Sequence, residues 1–76
     1  MPIGFVLIKV SQGAEKKVFN TLIKVEEILE SYPLFGDYDL IAKIQVTNYK
    51  ELGDTVINKI LTIKGITEIK TLTFVW

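Results

Sequence analysis

The sequence predicts an α+β protein of the ferredoxin-like class: a βαββαβ chain whose antiparallel four-stranded sheet carries two helices on one face. Three observations carry that expectation. Stretches of two-residue apolar alternation and stretches of helical spacing follow one another in the order β-α-β-β-α-β. The two βαβ halves echo each other in pattern, though hardly in residue identity. Finally, 49% of the 76 residues are hydrophobic, and the first and last strands carry large apolar groups on both sides. So short a chain is near the lower limit for a self-sufficient core, and the surplus points to a second buried surface. A bare apolar sheet face asks for another sheet. The expected form is a homodimer joined face to face, of the dimeric α/β-barrel type.

Each element follows from local pattern. Gly4 to Val10 is β-branched and apolar between Pro2 and Ser11-Gln12-Gly13, which reads as a strand. From Ala14, Val18, Leu22 and Val25 recur at helical spacing, giving a helix over 14–26. Ile28 to Phe35 alternates well enough for a strand, with Pro33 marking it as an edge or bulged one. Leu40, Ala42, Ile44 and Val46 alternate with Ile41, Lys43 and Gln45 in a third strand. Asn48 stands three residues before Glu51, a capping box that opens a second helix. Leu52, Val56, Ile60 and Ile63 supply that helix's apolar face, and Gly65 is its left-handed stop. Ile66 to Trp76 closes the sheet, with Leu72, Phe74 and Trp76 on one face and Ile69, Thr71, Thr73 and Val75 on the other.

Composition narrows the function. Nine lysines balance nine acids, and arginine, histidine and cysteine are all absent. Without arginine the bidentate contacts typical of phosphate and base recognition are missing, so direct nucleic-acid binding is not expected. Without histidine or cysteine the chain lacks the commonest general base, metal ligands and thiol chemistry, so no catalytic residue, metal or cofactor is expected. Asp37, Asp39 and Asp54 show no calcium-loop spacing. Glu26, Glu27 and Glu30 read as a solvated edge, Tyr32 as sheet filler or a ring packed beside the tetrad loop, and Phe5, Phe74 and Trp76 as dimer-interface aromatics. No apolar run is long enough to span a membrane, and Met1 to Val10 lacks a small-residue cleavage site. A single cytoplasmic domain over 1–76 is expected.

The most specific stretch is Gly36-Asp37-Tyr38-Asp39, between strands two and three. Glycine and aspartate tolerate positive φ, so the tetrad can be a hairpin turn and nothing more. Yet an Asp-Gly or Asn-Gly order would suit a two-residue hairpin better, and two carboxylates this close repel. An ammonium or backbone-donor partner would relieve them. Turn and site both remain open on pattern alone.

The same stretch resembles the C-terminal effector domain, or RAM domain, of the Lrp/AsnC family of amino-acid-responsive transcription regulators. The family's hallmark is a glycine, an acidic or polar residue, then Tyr-Asp leading into an apolar strand, which stands here as Gly36-Asp37-Tyr38-Asp39-Leu40-Ile41. "VLIKVSQGAEKKV" is similar to the family's first strand, glycine-bearing loop and helix start, and "ILTIKGITEIKTLTFV" to its second-helix end, turn and final strand. Lys64 stands where the family usually has proline, and Ile69 where it has the first of two threonines. The usual helix-turn-helix domain is not expected here, which suggests a stand-alone RAM protein. The resemblance implies dimers joined through their sheets, rings of dimers (octamers or decamers), and a possible Lrp/AsnC-like regulator as partner. It also implies an amino-acid effector bound between dimers, beside the tetrad and the final strand. Asp39, or Asp37 as second choice, would hold the ammonium. Amides around Gly36 would meet the carboxylate, Tyr38 would wall the cleft, and Thr71 and Thr73, from the same chain or a neighbour, would supply hydroxyls. Two other classes stay open: an ACT-like or purely structural assembly domain, and a small cofactor-free dimeric α/β-barrel enzyme.

Overall fold

Four strands and two helices alternate along the chain: β1 (Ile3–Val10), α1 (Glu15–Leu22), β2 (Ile28–Pro33), β3 (Leu40–Gln45), α2 (Tyr49–Thr55) and β4 (Ile66–Thr73). This computed structural model describes residues 3–73, so Phe74, Val75 and Trp76, assigned above to the last strand and an interface, lie outside the described residues. The sheet order is β2-β3-β1-β4 with every neighbouring pair antiparallel, which is the expected ferredoxin-like topology.

Strand alternation sorts the two faces. Val6 and Ile8 of β1, with Leu40, Ala42 and Ile44 of β3, are buried beneath the helices, where Val18 and Leu22 of α1 and Leu52 of α2 meet them. The opposite face shows Phe5 and Leu7 paired with Lys43 and Ile41, and Phe5 again with Leu72 of β4. Apolar residues thus stand on both sides of the central strands, and only one side is covered by this chain's helices.

Several boundaries differ from the sequence reading, each for a local reason. The helix expected to reach residue 26 ends at Leu22, because Lys24 and Val25 donate to the carbonyls three residues back, at Thr21 and Leu22. Such tighter bonds turn the chain out of the helix so that β2 can begin at Ile28. The strand drawn to Phe35 ends at Pro33, and its register shifts between Ile28 and Glu30, leaving Leu29 as the extra residue of a bulge.

The second helix opens as expected, with the Glu51 amide donating to Asn48 Oδ1 at 2.8 Å. The Glu51 side chain does not close a reciprocal box but accepts from the Thr47 hydroxyl at 2.5 Å. Beyond Thr55 the helix widens into a π-helical segment, Val56–Ile60, closed by the Leu61 amide on the Val56 carbonyl at 2.9 Å. Inward residues at 52, 56 and 60 overshoot an α-helical face by roughly 40° per step. The wider turn brings both Val56 and Ile60 back over the core, where Ile60 is fully buried.

Gly65 then reverses the chain at φ 107°, and a Cβ there would lie 3.0 Å from Val18 Cγ2 and 3.1 Å from Ala14 Cβ. Its carbonyl accepts from the Ser11 amide at 2.8 Å, so the exits of β1 and α2 are pinned to each other.

Candidate functional site

The tetrad forms the tip of the β2–β3 connection. Its base is closed by the Leu34 amide on the Asp39 carbonyl at 2.9 Å, and by the Asp39 amide on the Ile8 carbonyl at 2.8 Å. Ile8 and Val10 present their polar groups to the same edge of β1. At Val10 the chain of β3 has already turned away, so no main-chain carbonyl arrives there. Asp39 Oδ2 takes the place of that carbonyl, accepting the Val10 amide at 2.9 Å. On the other side of Val10, the β1–β4 register shifts between Lys9 and Val10. Asp39 therefore secures the end of β1 where pairing on both sides is changing.

Tyr38 is fastened differently. Lys9 Nζ sits 5.4 Å from its ring centroid, and its hydroxyl donates to Glu68 Oε2 at 3.3 Å. Lys9 and Glu68 are cross-strand partners of β1 and β4, so the ring reaches from the hairpin over two further strands. Neither residue stood out in the sequence. The register that pairs them is not legible there.

Gly36 and Asp37 project beyond this anchored base and are exposed. Gly36 has φ 125°, a left-handed conformation that glycine alone adopts without strain, and space for a Cβ is open around it. Among the described residues, no hydrogen bond within the chain takes up the amides of Gly36 and Asp37. The tip thus offers two amide donors, a free approach to the backbone and one uncommitted carboxylate.

Thr71 and Thr73 are not gathered to this tip. They pair with Val6 and Gly4, on the helix-bearing face of β4, whereas Tyr38 lies toward Lys9 and Glu68 on the open face. Along β4, Thr71 is three residues and Thr73 five residues from Glu68, or roughly 10 and 17 Å of extended strand. Both hydroxyls are exposed at the sheet edge. One chain holds the two halves of the expected site apart.

Two further features escaped the sequence reading. Glu27, taken above as part of a solvated edge, has a side chain only 17% exposed and pairs with Lys59 at 2.6 Å. The Lys59 ammonium holds the Glu27 carboxyl below the usual carboxylate range, and Lys59 is raised in turn by Glu27. The other Glu27 oxygen, Oε1, is buried with no hydrogen-bond partner among the described residues. The second feature is Phe35, fully exposed next to the tetrad. Tyr32 stands half exposed in β2 opposite Ile41 and donates to Glu30 Oε1 at 2.5 Å, a bond that lowers the Glu30 pKa. Among the described residues no group of three or more His, Cys, Asp or Glu side chains could hold a metal ion, and no helix is long and apolar enough to cross a membrane.

Comparison with known proteins identifies the family and the fold. Residues 3–75 match the family described as the Lrp/AsnC ligand binding domain. The HTH-type transcriptional regulator FL11 of Pyrococcus abyssi is 42% identical over 65 residues, covering 83% of this chain and 43% of the relative. Its namesake in Pyrococcus furiosus is 42% identical over 52 residues, covering 68% and 34%. The chain spans less than half the length of these curated relatives. Among solved structures, FFRP-DM1 superposes with a TM-score of 0.94 at 29% identity, covering 99% of this chain and 100% of that one. AsnC of E. coli superposes with a TM-score of 0.92 at 26% identity, covering 99% and 51%. The regulator NMB0573 of Neisseria meningitidis, solved as a complex with L-Met, shares the fold with a TM-score of 0.87 at 16% identity, covering 99% and 50%.

Proposed function

The chain belongs to the Lrp/AsnC ligand binding domain family, and we propose on that premise that it is a cytoplasmic amino-acid-binding and oligomerisation module of transcriptional or metabolic regulation. The observation that carries this reading is the hairpin tip. An α-amino acid needs a carboxylate for its ammonium and donors for its own carboxylate, and the tip supplies Asp37 and the amides around Gly36. Asp39 braces the tip from behind, with one carboxylate oxygen on the Val10 amide. Tyr38 walls the site. Thr71 and Thr73 lie too far along β4 to join the same chain's tip, so in this reading they come from a neighbouring chain. The effector then sits between subunits, and its binding is felt by the assembly. The methionine held by NMB0573 belongs to that protein, whose likeness to this chain is one of fold.

The assembly itself is proposed from the open sheet face. Phe5, Leu7, Ile41 and Leu72 form its apolar centre. The rim is polar: Glu30, Tyr32 and Lys43 at one edge, Lys9 and Glu68 at the other. An apolar patch within a polar rim is the anatomy of a protein interface, and a second copy brings a matching face. Direct DNA contact is not part of the proposal, because nine lysines are offset by nine acids and no arginine is present.

The runner-up is an assembly domain that binds nothing at the tetrad. One observation favours it: Asp39 and Tyr38 both already serve the hairpin's own attachment. A thermal-shift screen over the amino acids separates the two, since a ligand specific for the folded state raises the melting temperature by mass action. A saturable shift with one or a few amino acids supports sensing. No shift with any of them leaves the assembly domain.

A further inference from the structure

The sheet order leaves β2 and β4 as its two edges, and the sequence treats them differently. β2 is six residues long, ends in Pro33 and carries the bulge at Leu29. Shortness, proline and bulges are the means by which an edge is kept from pairing with another chain. β4 is eight residues long, Ile66–Thr73, and contains no proline. Its irregularity is confined to its start, where Lys9 faces Glu68 and Val10 faces Ile66, leaving Thr67 as the extra residue. From Glu68 onward the register is regular, and every residue to Thr73 except Ile69 is exposed. β1 is the only strand beside it in the chain, so alternate N–H and C=O groups of β4 point outward from the sheet.

We propose that this edge pairs antiparallel with β4 of a second copy, about a two-fold axis at Ile69, so that the sheet continues across two chains. A two-fold axis perpendicular to the sheet sets one residue of β4 opposite its own copy. Charge selects which residue that is. Glu68 and Lys70 lie on the open face, opposite Lys9 and Leu7 of β1. An axis at Glu68 opposes two carboxylates, and an axis at Lys70 opposes two ammonium groups; like charges directly opposite destabilise a sheet. An axis at Thr71 sets Lys70 against Leu72 and pairs no charge. Only the axis at Ile69 sets Glu68 opposite Lys70 of the second copy, and it does so twice. The row across the junction then reads Lys9, Glu68, Lys70 of the second copy and Leu7 of the second copy, with no like charges adjacent. Among the described residues neither Glu68 nor Lys70 has an ion pair of its own.

This pairing keeps the helices of both chains on one side and both open faces on the other, so it leaves the face proposed for the sheet dimer uncovered. It also reaches the tetrad. The Tyr38 hydroxyl donates to Glu68 Oε2, and Lys70 of the second copy meets that same carboxylate. So short a ladder buries less than the roughly 1,200 Å² of a stable stand-alone interface, so on its own the contact is concentration-dependent. The inference goes beyond the proposed effector and sheet-face dimer and requires neither.

Sedimentation of the intact chain, from micromolar to millimolar concentration, reads the mass. Lys70→Glu and Glu68→Lys are each expected to halve the wild-type mass, and the double variant to restore it. Both residues lie on the open face, so a second measurement reads the register from the helix-bearing side, which a sheet packed on the open face does not touch. The chain has no cysteine. Ile69→Cys is expected to give a disulfide-linked dimer under mild oxidation, because opposed Cβ atoms in a sheet stand about 4.5–5.5 Å apart. Thr71→Cys is expected to run as a monomer on denaturing electrophoresis, since its copy lies four residues away along the strand, roughly 13 Å. Wild-type mass in both single charge variants overturns the proposal, as does a cross-link in Thr71→Cys and none in Ile69→Cys. If Ile69→Cys does not fold, the charge exchange decides: a double variant that stays at half mass overturns the pairing. A thermal shift with amino acids reads the sensing function separately, and a cross-link at position 69 without any such shift upholds the edge contact and removes only the effector.

Discussion

The Asp39 carboxylate accepts the Val10 amide at 2.9 Å, across 29 residues of sequence. This bond makes an acidic residue of the tetrad part of the sheet's own framework. It also fixes what substitution should do. Asp39→Ala leaves the Val10 amide without its acceptor at a half-buried site, which costs about 1–2 kcal/mol of stability. Asp39→Asn retains an acceptor oxygen and should lose less than half of that. Urea unfolding of the two variants checks the order; equal losses would show that charge, and not the acceptor, is what matters at this position.

The open face leads to a prediction about assembly. Leu7 pairs with Ile41 and lies in the middle of the uncovered sheet. Leu7→Asp puts an unpaired charge where a second sheet is proposed to pack, at a cost of several kcal/mol to association. Light scattering should show the variant as a monomer with its circular dichroism unchanged. If wild type and variant have the same mass, the sheets do not meet there.

How far the sequence was legible depended on the range of the interaction that decides each feature. β1 and β3 were plain because their alternation is enforced by one covered face, and Asn48 was plain because its cap lies three residues away. The end of α1 was not, since the switch to shorter bonds at Lys24 and Val25 answers to where β2 must start. The bulge at Leu29 and the π-helical turn at Val56–Ile60 each absorb one residue of mismatch that periodicity cannot locate. At the tetrad, the loop and its exposed glycine could be read directly. The attachment of Asp39 to Val10 and of Tyr38 to Lys9 and Glu68 could not, because strand register sets those partners. The separation of Thr71 and Thr73 from the tip has the same origin.

Glu27 and Lys59 predict a pH dependence. Glu27 is depressed by the Lys59 ammonium, so its contribution to stability is present above the unfolded carboxyl's pKa of about 4.3 and is lost as pH falls through the lower folded value. Lys59 is raised, so its contribution is present below about 10.4 and is lost only as pH rises through the higher folded value. Melting temperature followed from neutral pH into acid should fall more steeply for wild type than for Glu27→Gln. Parallel curves would mean that the pair is already screened by water.

Gly65 offers a test of the junction between β1 and α2. An alanine there meets both a left-handed φ of 107° and contacts of 3.0 and 3.1 Å with Val18 and Ala14. Gly65→Ala should cost more than about 1 kcal/mol, since alanine is strained at positive φ before any crowding is counted. Gly13→Ala is the control, because φ is positive there too and nothing lies within 4 Å of the new Cβ. Denaturant midpoints should rank Gly65→Ala below Gly13→Ala; the reverse order would show that α1 shifts freely to make room.

The effector site itself is tested by separating its two aspartates. Asp39 has one oxygen on the Val10 amide, whereas no hydrogen bond or ion pair within the described chain engages Asp37. The proposed ammonium contact therefore rests first on Asp37, reversing the order expected from the family resemblance. Asp37→Asn keeps the shape of the tip but removes its charge, so it should weaken amino-acid binding by roughly 1.5–3 kcal/mol, the worth of a charged hydrogen bond. Stability should hardly change, because Asp37 is exposed. Thr71→Val gives the complementary measurement: if its hydroxyl reaches the ligand from a neighbouring chain, affinity falls in the assembled protein although Asp37 is intact. Calorimetry with the amino acid found in the thermal screen reads both. Equal affinity in wild type and Asp37→Asn would place the ammonium elsewhere, and an unaffected Thr71→Val would confine the site to a single chain's hairpin.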